Sequence, residues 1–452
     1  MTISLRKIFI SLVNNFIEII VGLGIIILIS RFYDQEIVGH WVVFSAAVFF
    51  LAKVREGFIQ TALTKFGTNS DDLQRNAVLK LNLFSNLCIE LGISVVIYGI
   101  VSLGFLKEVA YLFWFYPIYA IPWSIYRWQM FAHLTKLDVK KVFNSNISVC
   151  LIVCVGILGI VSYQLPIQYL AVVLGLAGIS GAFVGLYQLN GIEIFKAKYT
   201  KTDVKNLLYY GKHGILREFT GTLSNRINIF LSAGLLSFSE TALLGVAQRY
   251  AQLILIPNGA IQSLSFPKAC EIVNQASAIE ERNVKLRKLY AETVSLLLGL
   301  FLGLLLVVFL FSEQIVVFIN GEDYLDAVPL MLIIMFTLAI FSPFGSSFGG
   351  MINALGKPEI NTKVILVNSV VNIALSVFMV HTFGLKGAVL GPLCSEIFGF
   401  LWISIILKKE IGINFIDCFL QIPKRYKEII IKVFSILQRT NSKQSEYKTP
   451  NP

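Results

Sequence analysis

The stretch Val294–Phe311, VSLLLGLFLGLLLVVFLF, holds eighteen residues in a row without a charge. A run of that length reads as a helix that crosses a bilayer. Arg282, Lys285, Arg287 and Lys288 stand before it, and Glu313, Glu322, Asp323 and Asp326 follow it. Lys and Arg collect on the cytoplasmic side of membrane helices, so this span runs from inside to outside.

The rest of the chain fits that reading. Of 452 residues, 56% are hydrophobic and 14% are charged. Soluble domains carry about 25% charged residues. Mean hydropathy is +0.73. The net charge of +11 does not point to nucleic acid, because the 38 Lys and Arg lie between hydrophobic segments rather than in one patch. The six cysteines (Cys88, Cys150, Cys154, Cys270, Cys394 and Cys418) form no Cys-x-x-Cys pair and read as small buried hydrophobes. Arg6 and Lys7 precede a first apolar run that reads as an uncleaved span rather than a signal peptide.

Twelve spans are expected, at about 10–30, 38–62, 79–104, 109–131, 144–163, 167–190, 214–236, 241–266, 289–311, 324–348, 360–382 and 385–407. With the N-terminus inside, the segments between them sort by charge. The outer segments hold only Arg31, Lys107 and Lys386, and nearly all the remaining Lys and Arg fall inside. Both termini are therefore expected in the cytoplasm. The outer loops are too short for a catalytic domain. Glu36-Ile37-Val38-Gly39 and Glu240-Thr241-Ala242-Leu243-Leu244-Gly245 match at an offset of about 206 residues. Six spans per half make this a parallel repeat, with a binding site expected near the midplane.

The expected architecture is an all-α membrane protein of two six-helix lobes. Residues 1–195 form the first lobe, 196–213 a basic cytoplasmic linker and 214–409 the second lobe. Residues 410–452 are a cytoplasmic tail, with an amphipathic helix on anionic lipid near 414–437 and disorder from 440. Pro257-Asn258-Gly259, Pro343-Phe344-Gly345 and Gly391-Pro392 are sites where spans could kink.

Charges inside the spans are costly and point to function. Lys53, Arg55 and Arg127 lie in the first lobe, Arg226 and Arg249 in the second. Together they suggest a cationic cavity for an anionic cargo, since a guanidinium binds a phosphate bidentately. The competing reading is internal ion pairing: Arg55 with Glu56, Arg217 with Glu218, Arg226 with Glu18. Arg127 and Arg217 also have the option of reaching the surface. The acids Glu18, Glu56, Glu90, Glu218 and Glu396 are candidates for proton or sodium coupling, or for structural pairing. His40, His133, His213 and His381 have no metal-ligand partner at helical spacing, so no metal site or cofactor is expected. No phosphate-binding loop, nucleophile elbow or His-Glu-x-x-His sequence occurs, which argues against ATP hydrolysis and enzymatic chemistry. Asn146-Ile147-Ser148 spells a glycosylation sequon, but at a cytoplasmic span end it carries no meaning.

Asn353-Ala354-Leu355-Gly356-Lys357-Pro358, Asn368 with Asn372, and Gly384-Leu385-Lys386-Gly387-Ala388 resemble the C-terminal half of the multidrug/oligosaccharidyl-lipid/polysaccharide exporter superfamily. Gly245-Val246-Ala247-Gln248-Arg249 with Pro267, and Phe318-Ile319-Asn320-Gly321-Glu322-Asp323-Tyr324, are similar too. Within that superfamily the chain looks most like the O-antigen and polysaccharide-repeat flippases, without the two extra spans of lipid II flippases. The resemblance implies a fold like that of multidrug and toxin extrusion (MATE) transporters, alternating access and a bacterial inner-membrane location. It implies an undecaprenyl-diphosphate-linked glycan as cargo, with membrane lipids, a polysaccharide polymerase and a chain-length regulator as partners. The alternatives are a cation-coupled multidrug antiporter, which would want an acidic cavity, and a membrane polymerase or glycosyltransferase, which would want a large catalytic loop.

Overall fold

Inside a bilayer a backbone amide finds no water, so an apolar chain satisfies its own hydrogen bonds by forming helices. The computed structural model describes residues 5–68, 72–136, 138–189, 191–416, 418–423 and 425–427, and no strand occurs among them. The helices are α1 (Leu5–Phe32), α2 (Gln35–Thr68), α3 (Asp72–Ser102), α4 (Ala110–Phe113), α5 (Tyr116–Leu134), α6 (Val139–Ser162), α7 (Tyr169–Gln188) and α8 (Gly191–Lys196). They continue as α9 (Lys201–Leu235), α10 (Phe238–Gln252), α11 (Ile256–Gln275), α12 (Ile279–Asn320), α13 (Ala327–Ala354), α14 (Pro358–Phe383) and α15 (Gly387–Ile411). Among the described residues, seven stretches are long and apolar enough to cross a membrane. The protein is a multi-pass membrane protein.

Local sequence explains the helix ends. Thr200 accepts from the Asp203 amide at 3.2 Å while the Asp203 carboxylate accepts from the Thr200 amide at 2.7 Å, a reciprocal cap that opens α9. Ser237 opens α10 by accepting from the Glu240 amide at 3.1 Å. Gly356 ends α13 at φ 75°, a left-handed conformation that favours glycine, and Pro358 begins α14. The expected break at Pro257 is real: α10 stops at Gln252, a 3₁₀ turn covers Leu253–Leu255, and α11 starts with the proline in its first turn. Pro343 and Pro392 instead lie inside continuous helices.

The chain divides into two compact units. Unit 1 comprises residues 1–253, 313–331 and 369–392. Within it α2 packs along α9 and α10, and α5 lies between α3 and α7. The two repeat glycines meet in the contact of α2 with α10. A Cβ on Gly39 would lie 1.9 Å from the Phe238 carbonyl oxygen, and one on Gly245 would lie 2.6 Å from Val42. A stripe of small residues on α7 seats α5 in the same way. Gly175, Gly178, Gly181 and Gly185 touch, in turn, the Ile118 carbonyl, the backbone at Trp123, the Tyr126 ring and the Gln129 side chain.

A clamp joins the end of α1 to the end of α12, also within unit 1. Arg31 Nε donates to the Ile319 carbonyl at 2.8 Å, and its Nη2 donates to the carbonyls of Phe318 and Val317. The Val317 carbonyl also accepts from the Gly321 amide at 3.0 Å, and a cation at a helix C-terminus is favoured. Beside it Asn320 Nδ2 donates to Ser30 Oγ at 2.6 Å, and the Tyr250 hydroxyl donates to Asn320 Oδ1 at 2.5 Å.

Unit 2 comprises residues 254–312, 332–368 and 393–452. Its core joins Tyr290, Val294 and Leu298 of α12, Phe344, Phe348 and Met351 of α13, and Ile403 and Leu407 of α15. The start of the tail contributes to this core. Ile413 and Cys418 are buried, Phe415 packs on Tyr290, Phe344 and Phe400, and the Tyr426 hydroxyl donates to the Leu296 carbonyl at 2.8 Å. The reason is steric as well as apolar: Gly299 leaves a slot in α12 that the Tyr426 ring fills. The stretch expected to be disordered, 440–452, lies outside the described residues.

Candidate functional site

On a helix, residues three apart share a face and residues two apart do not. That rule splits the charged group of α2. Lys53 and Glu56 point into a cavity of about 290 Å³ within unit 1, while Arg55 points away from it. The cavity is lined by α1, α2, α5, α6, α7, α9 and α10, and four of the five expected cations reach it: Lys53, Arg127, Arg226 and Arg249. Arg55 does not. It is 3% exposed and forms an ion pair with the fully buried Glu90, whose other oxygen accepts from the Tyr116 hydroxyl at 2.7 Å. The Arg55–Glu90 pair is a strut between α2 and α3, so neither residue is available to a cargo in the cavity.

The pairing of Glu56 also differs from the simple neighbour expected. Its carboxylate accepts from Lys53 at 2.7 Å and from Arg127 Nε at 2.9 Å, not from Arg55. Arg127 does not run to the surface; its guanidinium also lies 5.4 Å from the Phe131 ring centre. Arg226 rests on the face of Phe49, 4.5 Å from its centre, and Lys53 approaches the same ring at 5.6 Å. Phe49 is thus an aromatic cushion between two like charges. Arg249 reaches in past Gly22 of α1, where a Cβ would lie 3.2 Å from Nη1. Neither Arg226 nor Arg249 has a carboxylate partner among the described residues. Among the described side chains, four cations and the carboxylate of Glu56 line the cavity, an excess of positive charge.

Glu218 and Glu396 are elsewhere. Glu218 of α9 lies against Gly57 of α2, and Glu396 lies on α15 in unit 2, beside Ser395, whose hydroxyl bonds Asn368 at 3.2 Å. The side chains of Glu18, Arg217 and His213 lie outside the described residues. His40 bonds the Tyr111 hydroxyl at 3.1 Å and stacks edge-on with Phe238, and His133 bonds the Gly185 carbonyl. No group of His, Cys, Asp and Glu able to hold a metal occurs among the described residues. The six cysteines are free thiols.

The aromatic part of the cavity lining was not foreseen. Trp41, Tyr119, Trp123 and Tyr126 form it, with Asn146 beside them. Tyr119, Trp123 and Tyr126 stand at i, i+4 and i+7 on α5, a helical stripe that the sequence displays but that reads equally well as lobe core. Asn146, set aside as part of a meaningless sequon, accepts a 2.6 Å hydrogen bond from the Tyr126 hydroxyl.

Comparison with known proteins gives the fold a context. The MatE family model matches residues 272–378. The fold is similar to an inward-facing multidrug resistance MATE transporter of the MOP superfamily, with TM-score 0.73 and 15% identity over 86% of this chain and 94% of that one. It is also similar to the lipid II flippase MurJ in an inward closed conformation, with TM-score 0.68 and 14% identity over 95% of this chain and 93% of that one. Among curated proteins, an uncharacterized membrane protein of Methanocaldococcus jannaschii is 23% identical over 54% of this chain and 46% of its own length. The probable low-salt glycan biosynthesis flippase Agl15 of Haloferax volcanii is 21% identical over 53% of this chain and 48% of its own length. The chain spans about half the length of the curated relatives it matches.

Proposed function

We propose that the protein is a flippase for a polyprenyl-diphosphate-linked oligosaccharide, such as the repeat unit of an O-antigen or another surface polysaccharide. The observation that carries this reading is the imbalance among the described side chains of the cavity: Lys53, Arg127, Arg226 and Arg249 against Glu56. A diphosphate matches that imbalance, and it presents oxygens in the geometry that guanidinium groups bind. In this reading the chain crosses a bacterial inner membrane twelve times with both ends in the cytoplasm. The head group enters from the cytoplasm, the lipid tail stays in the bilayer, and alternating access carries the sugar across. Proton or sodium coupling would act through Glu56, with Glu18, Glu218 and Glu396 as further candidates. A polymerase and a chain-length regulator would act on the product.

A hydrogen bond to a charged group is worth about 1.5–3 kcal/mol, so loss of one guanidinium should weaken diphosphate binding roughly tenfold to a hundredfold. The test replaces Arg226 and Arg249 by Ala and by Lys in a host that lacks its own flippase. Surface polysaccharide is measured at matched membrane levels. Both Ala variants should lose most export, and the Lys variants should keep part of it. Normal export by both Ala variants overturns the reading. The multidrug-antiporter reading predicts instead efflux of organic cations, which the charge of this cavity disfavours.

A further inference from the structure

The cavity has a cationic and an aromatic part to its lining, and the proposed function uses only the first. Cations line the first, where Phe49 is already occupied by Arg226. The second is the α5 stripe. Tyr119 and Trp123 have ring centres 5.5 Å apart, and Trp123 and Tyr126 stand edge to face at 5.1 Å. Tyr126 is fixed at both ends: its ring lies on Gly181 of α7, and its hydroxyl donates to Asn146, which in turn donates to Asn14 Oδ1 at 3.3 Å. The stripe is therefore held rigid from behind. Toward the cavity Trp123 and Tyr119 are half-buried, Tyr119 with its ring centre 6.5 Å from that of Phe44, while Tyr126 is buried.

Interior aromatic rings in a folded lobe normally interdigitate at close-packed density, because a gap forfeits dispersion energy. A rigid, partly uncovered aromatic face beside a cationic pocket is a surface built for an occupant. We infer that Tyr119 and Trp123, backed by the buried Tyr126, form a platform for the pyranose ring that adjoins the diphosphate. A pyranose has one face of C–H bonds, which suits the negative face of an aromatic ring, and an edge of hydroxyls, which suits polar neighbours such as Asn146. The cavity is small for a ligand site, near the low end of the roughly 300–1,000 Å³ range. It thus reads the first sugar and leaves the rest of the glycan unread. A flippase so built would be selective for the sugar attached to phosphate and tolerant of the sugars beyond it.

This inference rests on the cationic wall holding the diphosphate, and the test separates the two ideas. Purified full-length protein is titrated by calorimetry with farnesyl diphosphate and with the same lipid bearing one glucose on the terminal phosphate. Trp123→Leu should weaken the glucosylated probe about tenfold and leave the bare diphosphate unchanged, while Trp123→Phe keeps most of the affinity. Arg226→Ala should weaken both probes alike. The platform is refuted if the native protein binds the two probes equally, or if Trp123→Leu weakens both or neither. It is also refuted, as a sugar site, if 1-naphthyl phosphate binds as tightly as the glucosylated lipid. Loss of discrimination in Trp123→Leu together with an inert Arg226→Ala leaves the platform standing and removes the diphosphate from the cationic wall.

Discussion

Replacing Glu56 by Gln removes the carboxylate that two cations share. Lys53 and Arg127 contact it at 2.7 and 2.9 Å, and the Glu56 side chain is 7% exposed. Breaking a buried pair by deleting one partner costs about 3–5 kcal/mol, because the remaining charge is left without compensation. Lys53 keeps 28% of its side-chain surface exposed and Arg127 keeps 18%, so water in the cavity offsets part of that loss. The lower end, about 3 kcal/mol, is the expected cost, which corresponds to a fall of roughly 3 °C in melting temperature. The same change should strengthen anion binding. Two released cations each gain access to the ligand, so inorganic diphosphate should bind at least roughly tenfold tighter. Purified Glu56→Gln protein is measured by thermal unfolding and by calorimetric titration, with Glu56→Asp as the charge-preserving control. Glu56→Gln protein as stable as the native chain, with unchanged diphosphate affinity, would refute the assignment of Glu56 as the counter-charge of this cavity.

Gly39→Val should abolish accumulation of folded protein in membranes, since its Cβ would meet a backbone oxygen at 1.9 Å and neither helix can yield locally; immunoblotting of membrane fractions checks this. Gly22→Val should displace the Arg249 guanidinium without unfolding the chain, lowering diphosphate affinity roughly tenfold in calorimetry while the melting temperature stays near the native value. Glu90→Gln should cost about 3–5 kcal/mol in thermal unfolding by orphaning buried Arg55, and the double change Arg55→Met with Glu90→Leu should recover much of it. Tyr426→Ala should lower the melting temperature by several degrees, because it empties the slot over Gly299 and removes the bond to the Leu296 carbonyl.

The helices were legible because bilayer crossing demands long apolar runs, and the basic segments between them repeat a simple electrostatic rule. Pro257 announced the break after Gln252 for a reason local to the chain: the ring supplies no amide hydrogen. The cationic wall was legible in part. Arg226 and Arg249 are isolated charges in apolar helices, and isolation is visible in one dimension. The partner of a charge is not. Arg55 and Glu56 are adjacent in the chain, yet successive residues point about 100° apart on a helix, so Glu56 turns to Arg127 and Arg55 turns to Glu90. The aromatic wall was hidden for a different reason. A stripe of Tyr119, Trp123 and Tyr126 has the same spacing whether it faces a neighbouring helix or an open space, and only the glycines of α7 decide which. The tail's contact with the core was not legible because apolar residues suit a lipid surface and a protein groove equally well, and the groove at Gly299 exists only once α12 is folded.

Arg31 binds main-chain carbonyls at the end of α12, not the side chains of Val317, Phe318 and Ile319. A contact of that kind places no demand on which residues its partner carries, provided the helix ends where it does. Replacing those three side chains leaves the acceptors in place, whereas replacing Arg31 removes every donor of the clamp. The contact is therefore sensitive to sequence on one side only.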